Sequence, residues 1–194
     1  MAEDAITCGS AISLTHVESK GFFLNSPATN WSQGSNQRSV TLAKETGPGS
    51  LWIVKEANGM KPCKPGSPIL CGEEVRLENI EGQGKNLHSH HTFQSPLSRQ
   101  QEVSLFGENG EGDEADNWVV ACTGREWKRD ATVKLQHVET RKFLGATRHV
   151  TFDASNCGHM CPILGHMEVC GMRGFEPDKR TEFKAVSGIY IKDE

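Results

Sequence analysis

The chain has 194 residues, 36% of them hydrophobic, and a formal net charge of −4 with Lys and Arg scattered along its length. That length fits one domain or two small ones, and no run approaches the roughly 18 apolar residues that a membrane-spanning helix requires. A membrane span is therefore not expected. No basic stripe is present that would neutralise phosphates, so a nucleic-acid partner is not expected either.

The cysteine content favours the secretory pathway, whereas the chain ends leave that question open. The first nine residues have neither the basic nor the apolar region of a signal peptide, so we expect any such peptide to have been removed. Seven cysteines are spread along the chain, which favours an oxidising compartment, and their odd number leaves at least one sulfur unpaired. The last residues, Lys192, Asp193 and Glu194, are one Leu short of the endoplasmic reticulum retrieval signal, although a chance charged tail explains them equally well.

One pattern occurs three times, at an interval of roughly 60 residues. Its copies begin at Cys8, Cys71 and Asp130 and read CGSAISLTHVESKGFFLNS, CGEEVRLENIEGQGKNLHS and DATVKLQHVETRKFLGAT. Within each copy, apolar residues alternate or pair over short stretches that Gly, Asn, Ser and Pro separate. No window has apolar residues at helical spacing, so the chain is predicted to be nearly all β.

Three copies of four short strands predict a β-trefoil. Three units without polar caps are too few for a solenoid, but they can close around a pseudo-threefold axis. We expect one domain over residues 1–194, with repeats at about 7–62, 70–122 and 127–191. The equivalent positions of the three copies, which should form the core, are Leu14, Leu77, Leu135; Leu24, Leu87, Leu144; Val40, Val103, Val169; and Trp52, Trp118, Phe183.

The first copy contains the one N-x-[ST] sequon of the chain, Asn30-Trp31-Ser32. It lies in a polar stretch that an oligosaccharyltransferase could reach, which predicts an N-glycan on Asn30. About one sequon is expected by chance in a chain of this size, so an unmodified Asn30 stays the alternative.

The second copy resembles a known family. Its segment GKNLHSHHTFQSPLSRQQEVSLFGENGEGDEADNWVV is closely similar to the stromal cell-derived factor 2 family, densely over Cys71 to Cys122 and more loosely elsewhere. The resemblance implies three MIR repeats in one β-trefoil and a role in protein quality control in the endoplasmic reticulum lumen, beside a J-domain co-chaperone. The same module occurs in protein O-mannosyltransferases, but this chain lacks their membrane-embedded catalytic portion, so glycosyl transfer is not expected.

Imidazole, aromatic and guanidinium groups concentrate on one strand of this copy. Leu87 should face the core, which places His88 and His90 on the opposite, solvent-facing side. These groups offer hydrogen-bond donors, stacking faces and a charge that titrates near neutral pH. A polar structural turn or a metal site are the alternatives, and metal is disfavoured because no HExxH or Cys-x-x-Cys partner is present. The predicted ligand-binding residues are His88, His90, His91, Phe93 and Arg99.

Two further clusters are candidates for metal ligands, and we predict no metal at either. The first is an acidic loop whose glycines do not follow the EF-hand order, so it is interpreted as solvated. Its residues are Glu108, Glu111, Asp113, Glu114 and Asp116. The second cluster lies outside the family resemblance and would suit tetrahedral zinc, but an oxidising compartment favours a disulfide, with the pairing left open. Its residues are Cys157, His159, Cys161, His166 and Cys170.

The trefoil also favours one disulfide pairing of the other four cysteines. The first strand of a lobe lies antiparallel to the fourth strand of that lobe, which favours disulfides Cys8–Cys63 and Cys71–Cys122. The competing pattern is Cys63–Cys71 with Cys8–Cys122.

The sequence contains no nucleophile elbow, phosphate loop or metalloprotease helix, so no catalytic residue and no cofactor are predicted. The expected function is a non-catalytic binding module that associates with co-chaperones or with unfolded or glycosylated client proteins. The alternative is a lectin-like module that binds glycans, related to the accessory domain of the mannosyltransferases. No Trp has Gln two residues before it, which argues against a ricin-type galactose site.

Overall fold

The computed structural model describes residues 4–174 and 178–194, and within these ranges the chain is almost entirely β. The strands are β1 (Ala11–His16), β2 (Phe23–Asn25), β3 (Arg38–Ser39), β4 (Thr41–Ala43), β5 (Trp52–Glu56), β6 (Glu74–Asn79), β7 (Asn86–Gln94), β8 (Gln101–Phe106), β9 (Trp118–Cys122), β10 (Thr132–His137), β11 (Phe143–Gly145), β12 (Met167–Glu168), β13 (Cys170–Met172) and β14 (Phe183–Ile189). The other elements are the short helix α1 (Ala154–Cys157) and 3₁₀ turns at Pro48–Ser50, Glu114–Asp116 and Lys179–Thr181. No helix in the described ranges has the length and apolar character needed to cross a membrane.

Six strands close into a barrel by antiparallel pairing in the order β1, β5, β6, β9, β10, β14 and back to β1. The other strands form the hairpins β2–β4, β7–β8 and β11–β13, which pair with one another through β3–β8, β8–β13 and β4–β12. A closed barrel with three linked hairpins is a β-trefoil, as the sequence predicts, and closure leaves the barrel without a free edge. We refer to β1–β5, β6–β9 and β10–β14 as lobes 1, 2 and 3.

The predicted core is buried. Trp52, Trp118 and Phe183 are 0% exposed, and the nine Leu and Val positions predicted with them are at most 1% exposed. All belong to one hydrophobic cluster. The indole N–H groups are satisfied as well, because Trp52 donates to the carbonyl of Leu24 and Trp118 to that of Leu87, each at 3.0 Å. Trp52 and Trp118 are therefore buried with their indole donors paired.

One hydrogen bond recurs around the pseudo-threefold axis and joins each lobe to a neighbour. It runs from the last side chain of the first strand of a lobe to the middle carbonyl of a 3₁₀ turn in another lobe. The three bonds are His16 Nε2 to Arg180 O at 2.7 Å, Asn79 Nδ2 to Gly49 O at 2.8 Å, and His137 Nε2 to Ala115 O at 2.7 Å. Because a carbonyl only accepts, each imidazole carries a proton on Nε2.

The His16 ring is held in its neutral form. It is 1% exposed, and its Nδ1 accepts the Ser19 N–H at 3.2 Å, so both ring nitrogens are already bonded. Burial lowers the pKa of His16, against the opposing effects of the bond to Arg180 and of Glu18. Folding therefore disfavours protonation of this ring.

Replacing His16 by Asn, the residue that makes the equivalent bond at position 79, should reduce the pH dependence of stability. The unfolded imidazole binds a proton near pH 6.5, whereas the folded ring binds it at lower pH. The stability that His16 contributes is therefore present above about pH 6.5 and is lost as the pH falls towards the folded pKa. Urea unfolding between about pH 5 and 7 should give a flatter profile for H16N than for the wild type. His149 is exposed, and His149→Asn is the control. If the free energy of unfolding of H16N changed with pH as steeply as that of the wild type, the lowered pKa of His16 would be contradicted.

The structure contains the disulfides Cys8–Cys63, Cys71–Cys122 and Cys157–Cys161, and Cys170 is free and buried. The first two match the pairing within lobes, and the competing pattern is not formed. Their cysteines are 55 and 51 positions apart, so each bridge should stabilise the fold by about 4 kcal/mol by restricting the unfolded chain. The third closes a separation of only 4 positions and should contribute about 2 kcal/mol.

Candidate functional site

A groove of about 770 Å³ opens where the hairpin ends of the three lobes meet. Residues 29–34 come from lobe 1, residues 91–94, 96 and 97 with Arg99 and Glu102 from lobe 2, and residues between 152 and 163 from lobe 3. We call it the interlobe groove. No single lobe could form it, because each contributes one wall.

The base of the groove is apolar. Trp31, Phe152 and Ile163 line it while being only 7%, 4% and 5% exposed, and they form a hydrophobic cluster separate from the barrel core. The rings of Trp31 and Phe152 stack, with centroids 5.8 Å apart and an angle of 29° between their planes. The Trp31 indole N–H donates to the carbonyl of Val103 at 3.0 Å, which fixes the ring. None of the three was among the predicted ligand residues, although Trp31 and Phe152 are each an isolated aromatic residue in the sequence.

Three of the five predicted ligand residues line this groove: His91, Phe93 and Arg99. His90 lies beside them, with its ring stacked on His91 at 4.4 Å and tilted against Phe93 at 5.8 Å. The second half of β7 is exposed or half-buried, so these side chains are accessible. Their role as ligand residues stays a prediction.

The expectation that His88 faces solvent is wrong. His88 is 4% exposed, and its Nδ1 lies 2.8 Å from Oδ1 of Asp116. Its ring also packs on Phe106 with centroids 4.7 Å apart. The first half of β7 is covered on both faces, one by the core and the other by the 3₁₀ turn Glu114–Asp116, so strand alternation does not separate buried from exposed residues there.

The interpretation of the acidic loop as solvated is only partly correct. Glu108, Glu111 and Glu114 are exposed, but Asp116 is 0% exposed. Oδ2 of Asp116 accepts the Asp113 N–H at 3.0 Å, which caps the turn. Burial raises the pKa of Asp116, and its bond to His88 opposes that effect.

His88, Asp113 and Asp116 offer ligand atoms that lie within 4.8 Å of one another. Two of these atoms are the hydrogen-bonded pair of His88 and Asp116, and Asp113 Oδ1 accepts the Ala115 N–H at 2.9 Å. Because Nδ1 of His88 and Oδ1 of both Asp113 and Asp116 take part in these hydrogen bonds, we interpret this cluster as the structural support of the loop.

Two buried carboxylates hold the walls of the groove, and neither was predicted from the sequence. Glu102 and Glu168 occupy equivalent positions, each directly before a core Val. Glu102 is 3% exposed and accepts both the N–H of Ser35, at 3.1 Å, and its hydroxyl. Burial raises the pKa of Glu102, and the bonds from Ser35 oppose that effect. The lobe 1 loop is thus fastened to lobe 2.

Glu168 fastens lobe 2 to lobe 3 in the same way. It is 1% exposed and accepts hydrogen bonds from the Ser95 hydroxyl, the Leu97 N–H, and both the N–H and hydroxyl of Ser98. Leu97 and its neighbour Pro96 form part of the groove wall. The shape of this wall therefore depends on one carboxylate from another lobe.

Asn30 is exposed at the rim of the interlobe groove, and it also borders a second groove of about 890 Å³ lined by residues such as Arg38, Lys85 and Glu108. Its side chain is accessible, as modification requires. Glycosylation at Asn30 stays a prediction, and a glycan there would lie on the ridge between the two grooves.

No family model matches the chain. It is 42% identical over 188 residues to stromal cell-derived factor 2-like protein 1 of Mus musculus, an alignment that covers 96% of this chain and 79% of that protein. Among solved structures, a stromal cell-derived factor 2-like protein from Arabidopsis thaliana superposes with a TM-score of 0.84 at 33% identity, covering 97% of this chain and 98% of the other.

A similarity to a much larger protein was also found. The structure of the S. cerevisiae protein O-mannosyltransferase Pmt1-Pmt2 complex bound to the sugar donor matches with a TM-score of 0.78 at 25% identity. The match covers 96% of this chain and 26% of the other. The whole trefoil is thus similar to one part of that enzyme.

Proposed function

Because this chain belongs to the stromal cell-derived factor 2 family, we propose that it is a non-catalytic MIR-domain binding module of protein quality control in the endoplasmic reticulum lumen. Its three disulfides fit an oxidising compartment. Its partners are a luminal J-domain co-chaperone and unfolded or glycosylated client proteins. In this proposal the interlobe groove is the surface that holds them.

The observation that carries the proposal is the chemistry of the groove. An apolar base of Trp31, Phe152 and Ile163 is surrounded by polar side chains and by the half-buried ring of Phe93. Sites that combine an apolar base with a polar rim bind partly apolar ligands, and the rim sets their orientation. An apolar side chain on an unfolded segment matches that description, and Arg99 adds a positive charge at the edge.

Phe93→Ala and Arg99→Asn should each weaken binding of an unfolded protein by about tenfold, which corresponds to about 1.4 kcal/mol. Asn is chosen at position 99 because that residue has a left-handed backbone, with φ of 60°, which Asn tolerates. The probe is fluorescently labelled α-lactalbumin, reduced and carboxymethylated so that it stays unfolded, and the measurement is fluorescence anisotropy.

The matched controls are Met60→Ala and Arg173→Asn, which remove an exposed apolar and an exposed basic side chain away from the groove lining. We expect wild-type affinity for both. Unchanged affinity in folded Phe93→Ala and Arg99→Asn variants would exclude the groove as the client surface.

A glycan is the second candidate ligand, and one feature of the groove favours it. Exposed amide side chains surround the stacked aromatic base, and amides with aromatic rings suit the hydroxyl groups and apolar faces of sugars. These amides belong to Asn30, Gln33, Gln94 and Asn156. A free high-mannose oligosaccharide that displaces labelled α-lactalbumin would support this candidate, and the absence of displacement at millimolar sugar would count against it.

A further inference from the structure

The third lobe presents an exposed disulfide. The segment Cys157-Gly158-His159-Met160-Cys161 is one residue longer than the Cys-x-x-Cys spacing of redox motifs. Among the six bridged cysteines, all of which lie in the described part of the chain, Cys157 alone is exposed. Met160 within the closed loop is 95% exposed. A solvent thiol can therefore approach this bridge directly.

This disulfide is expected to stabilise the fold by about half as much as either of the other two. The entropic contribution of a bridge grows with the length of the loop that it closes, and this one spans only 4 positions, against 55 and 51 for the others. Exposed bridges are the ones that exchange most readily with thiols. Exposure and a short loop together distinguish it from the two bridges that close the lobes.

The surrounding segment is held by contacts that do not involve the bridge. Asp153 caps α1 by accepting the N–H groups of Ser155 and Asn156 at 2.9 and 3.1 Å. Phe152 donates its N–H to His166 at 2.9 Å and packs on Trp31. Opening the bridge should therefore leave this wall of the groove in place.

The bridge also lies where a bound protein would be. Cys157 lines the interlobe groove together with Phe152 and Ile163, whereas Cys161 is 8% exposed and packs into the apolar cluster beneath. A cysteine on a segment held in the groove would thus meet Cys157 first. This step of the argument rests on the proposed function, but the exposure of the bridge does not.

We propose that the Cys157–Cys161 disulfide is redox-active and exchanges with thiols of proteins held in the interlobe groove. A client thiolate attacks Sγ of Cys157, the bond between Cys157 and Cys161 breaks, and the electron pair leaves on Sγ of Cys161, which then takes a proton from water. A second client thiolate attacks the client sulfur of the mixed disulfide and releases Cys157 as a thiolate.

The electrons balance in this sequence. The client loses two electrons and gains a disulfide, while Cys157 and Cys161 gain two electrons and become a dithiol. A small-molecule disulfide, glutathione disulfide, re-forms the bridge by the same exchange and becomes two thiols. Cys170 does not take part, because it is 2% exposed and burial raises the pKa of its thiol to about 12.

The first test equilibrates the folded protein with graded ratios of reduced to oxidised glutathione, blocks free thiols with a maleimide and maps them by peptide mass. Cys157 and Cys161 should become reduced at ratios at which Cys8–Cys63 and Cys71–Cys122 stay intact, with the far-ultraviolet spectrum unchanged. In a Cys161→Ser variant, glutathione should be trapped on Cys157. Reduction of all three bridges together, or an inert Cys157 in the variant, would overturn the redox role.

The second test separates this chemistry from the proposed function. A synthetic peptide with two cysteines flanking an apolar segment is oxidised by glutathione disulfide with and without the protein. Wild-type protein should accelerate the reaction, Cys157→Ser should lose the whole acceleration, and Phe93→Ala should reduce it by the factor by which it weakens α-lactalbumin binding. If Phe93→Ala accelerated the reaction as much as the wild type, the thiol exchange would be supported but the groove would be excluded as its docking surface. No acceleration would refute exchange with clients.

Discussion

Replacing Glu168 by Gln is expected to lower the free energy of unfolding by about 3 kcal/mol. The carboxylate accepts hydrogen bonds from Leu97, Ser98 and Ser95 while 1% exposed. Gln has one acceptor oxygen and turns an NH₂ group towards backbone N–H groups that also donate. Some of these buried donors therefore lose their partner, and hydrogen bonds to a charged group cost the most to lose.

Urea unfolding at pH 7 measures this loss, and hydrogen exchange at the amides of Leu97 and Ser98 locates it. The matched control is Glu102→Gln at the equivalent position, where Ser35 alone, among the residues that the structure describes, donates to the carboxylate and burial raises its pKa. We expect a loss of about 1 kcal/mol there. Equal losses in the two variants, or unchanged exchange at Leu97, would show that Glu168 does not hold the groove wall.

Replacing His88 by Ala is expected to cost about 3–5 kcal/mol, because it leaves the carboxylate of Asp116 buried without its partner. Asp116 is 0% exposed, and the imidazole lies 2.8 Å away. A second change, Asp116→Asn in the His88→Ala background, removes the unpaired charge and should recover part of the loss. Chemical denaturation of the two single variants and the double variant gives the coupling energy.

His90→Ala and His91→Ala are the matched controls on the same strand. His90 is half-buried and His91 is exposed, so each change should alter stability by no more than about 0.5 kcal/mol. A His88→Ala variant as stable as these two would refute the structural role of His88. The comparison also separates effects on binding from effects on folding, since His90→Ala and His91→Ala are expected to leave the stability of the lobe nearly unchanged, whereas His88→Ala is not.

Much of the fold could be predicted from local sequence. Equivalent Leu, Val and aromatic residues recur in three copies, and each occupies the core because a six-stranded barrel needs the same inward positions from every lobe. The pairing of Cys8 with Cys63 follows from the same geometry, since the first and last strands of a lobe are neighbours. The repetition made these features predictable, because a wrong strand assignment in one copy would have disagreed with the other two copies.

The candidate site depended on contacts that no local pattern records. Strand alternation correctly placed Leu87 in the core, but it could not show that the other face of β7 is covered by a turn whose Asp116 lies 28 residues after its partner His88. The groove likewise joins Trp31, Phe93 and Phe152, one from each lobe. Periodicity reports which residues of a strand share a face. Whether that face meets solvent, a loop or another lobe is decided by chain closure, which brings together residues far apart in the sequence.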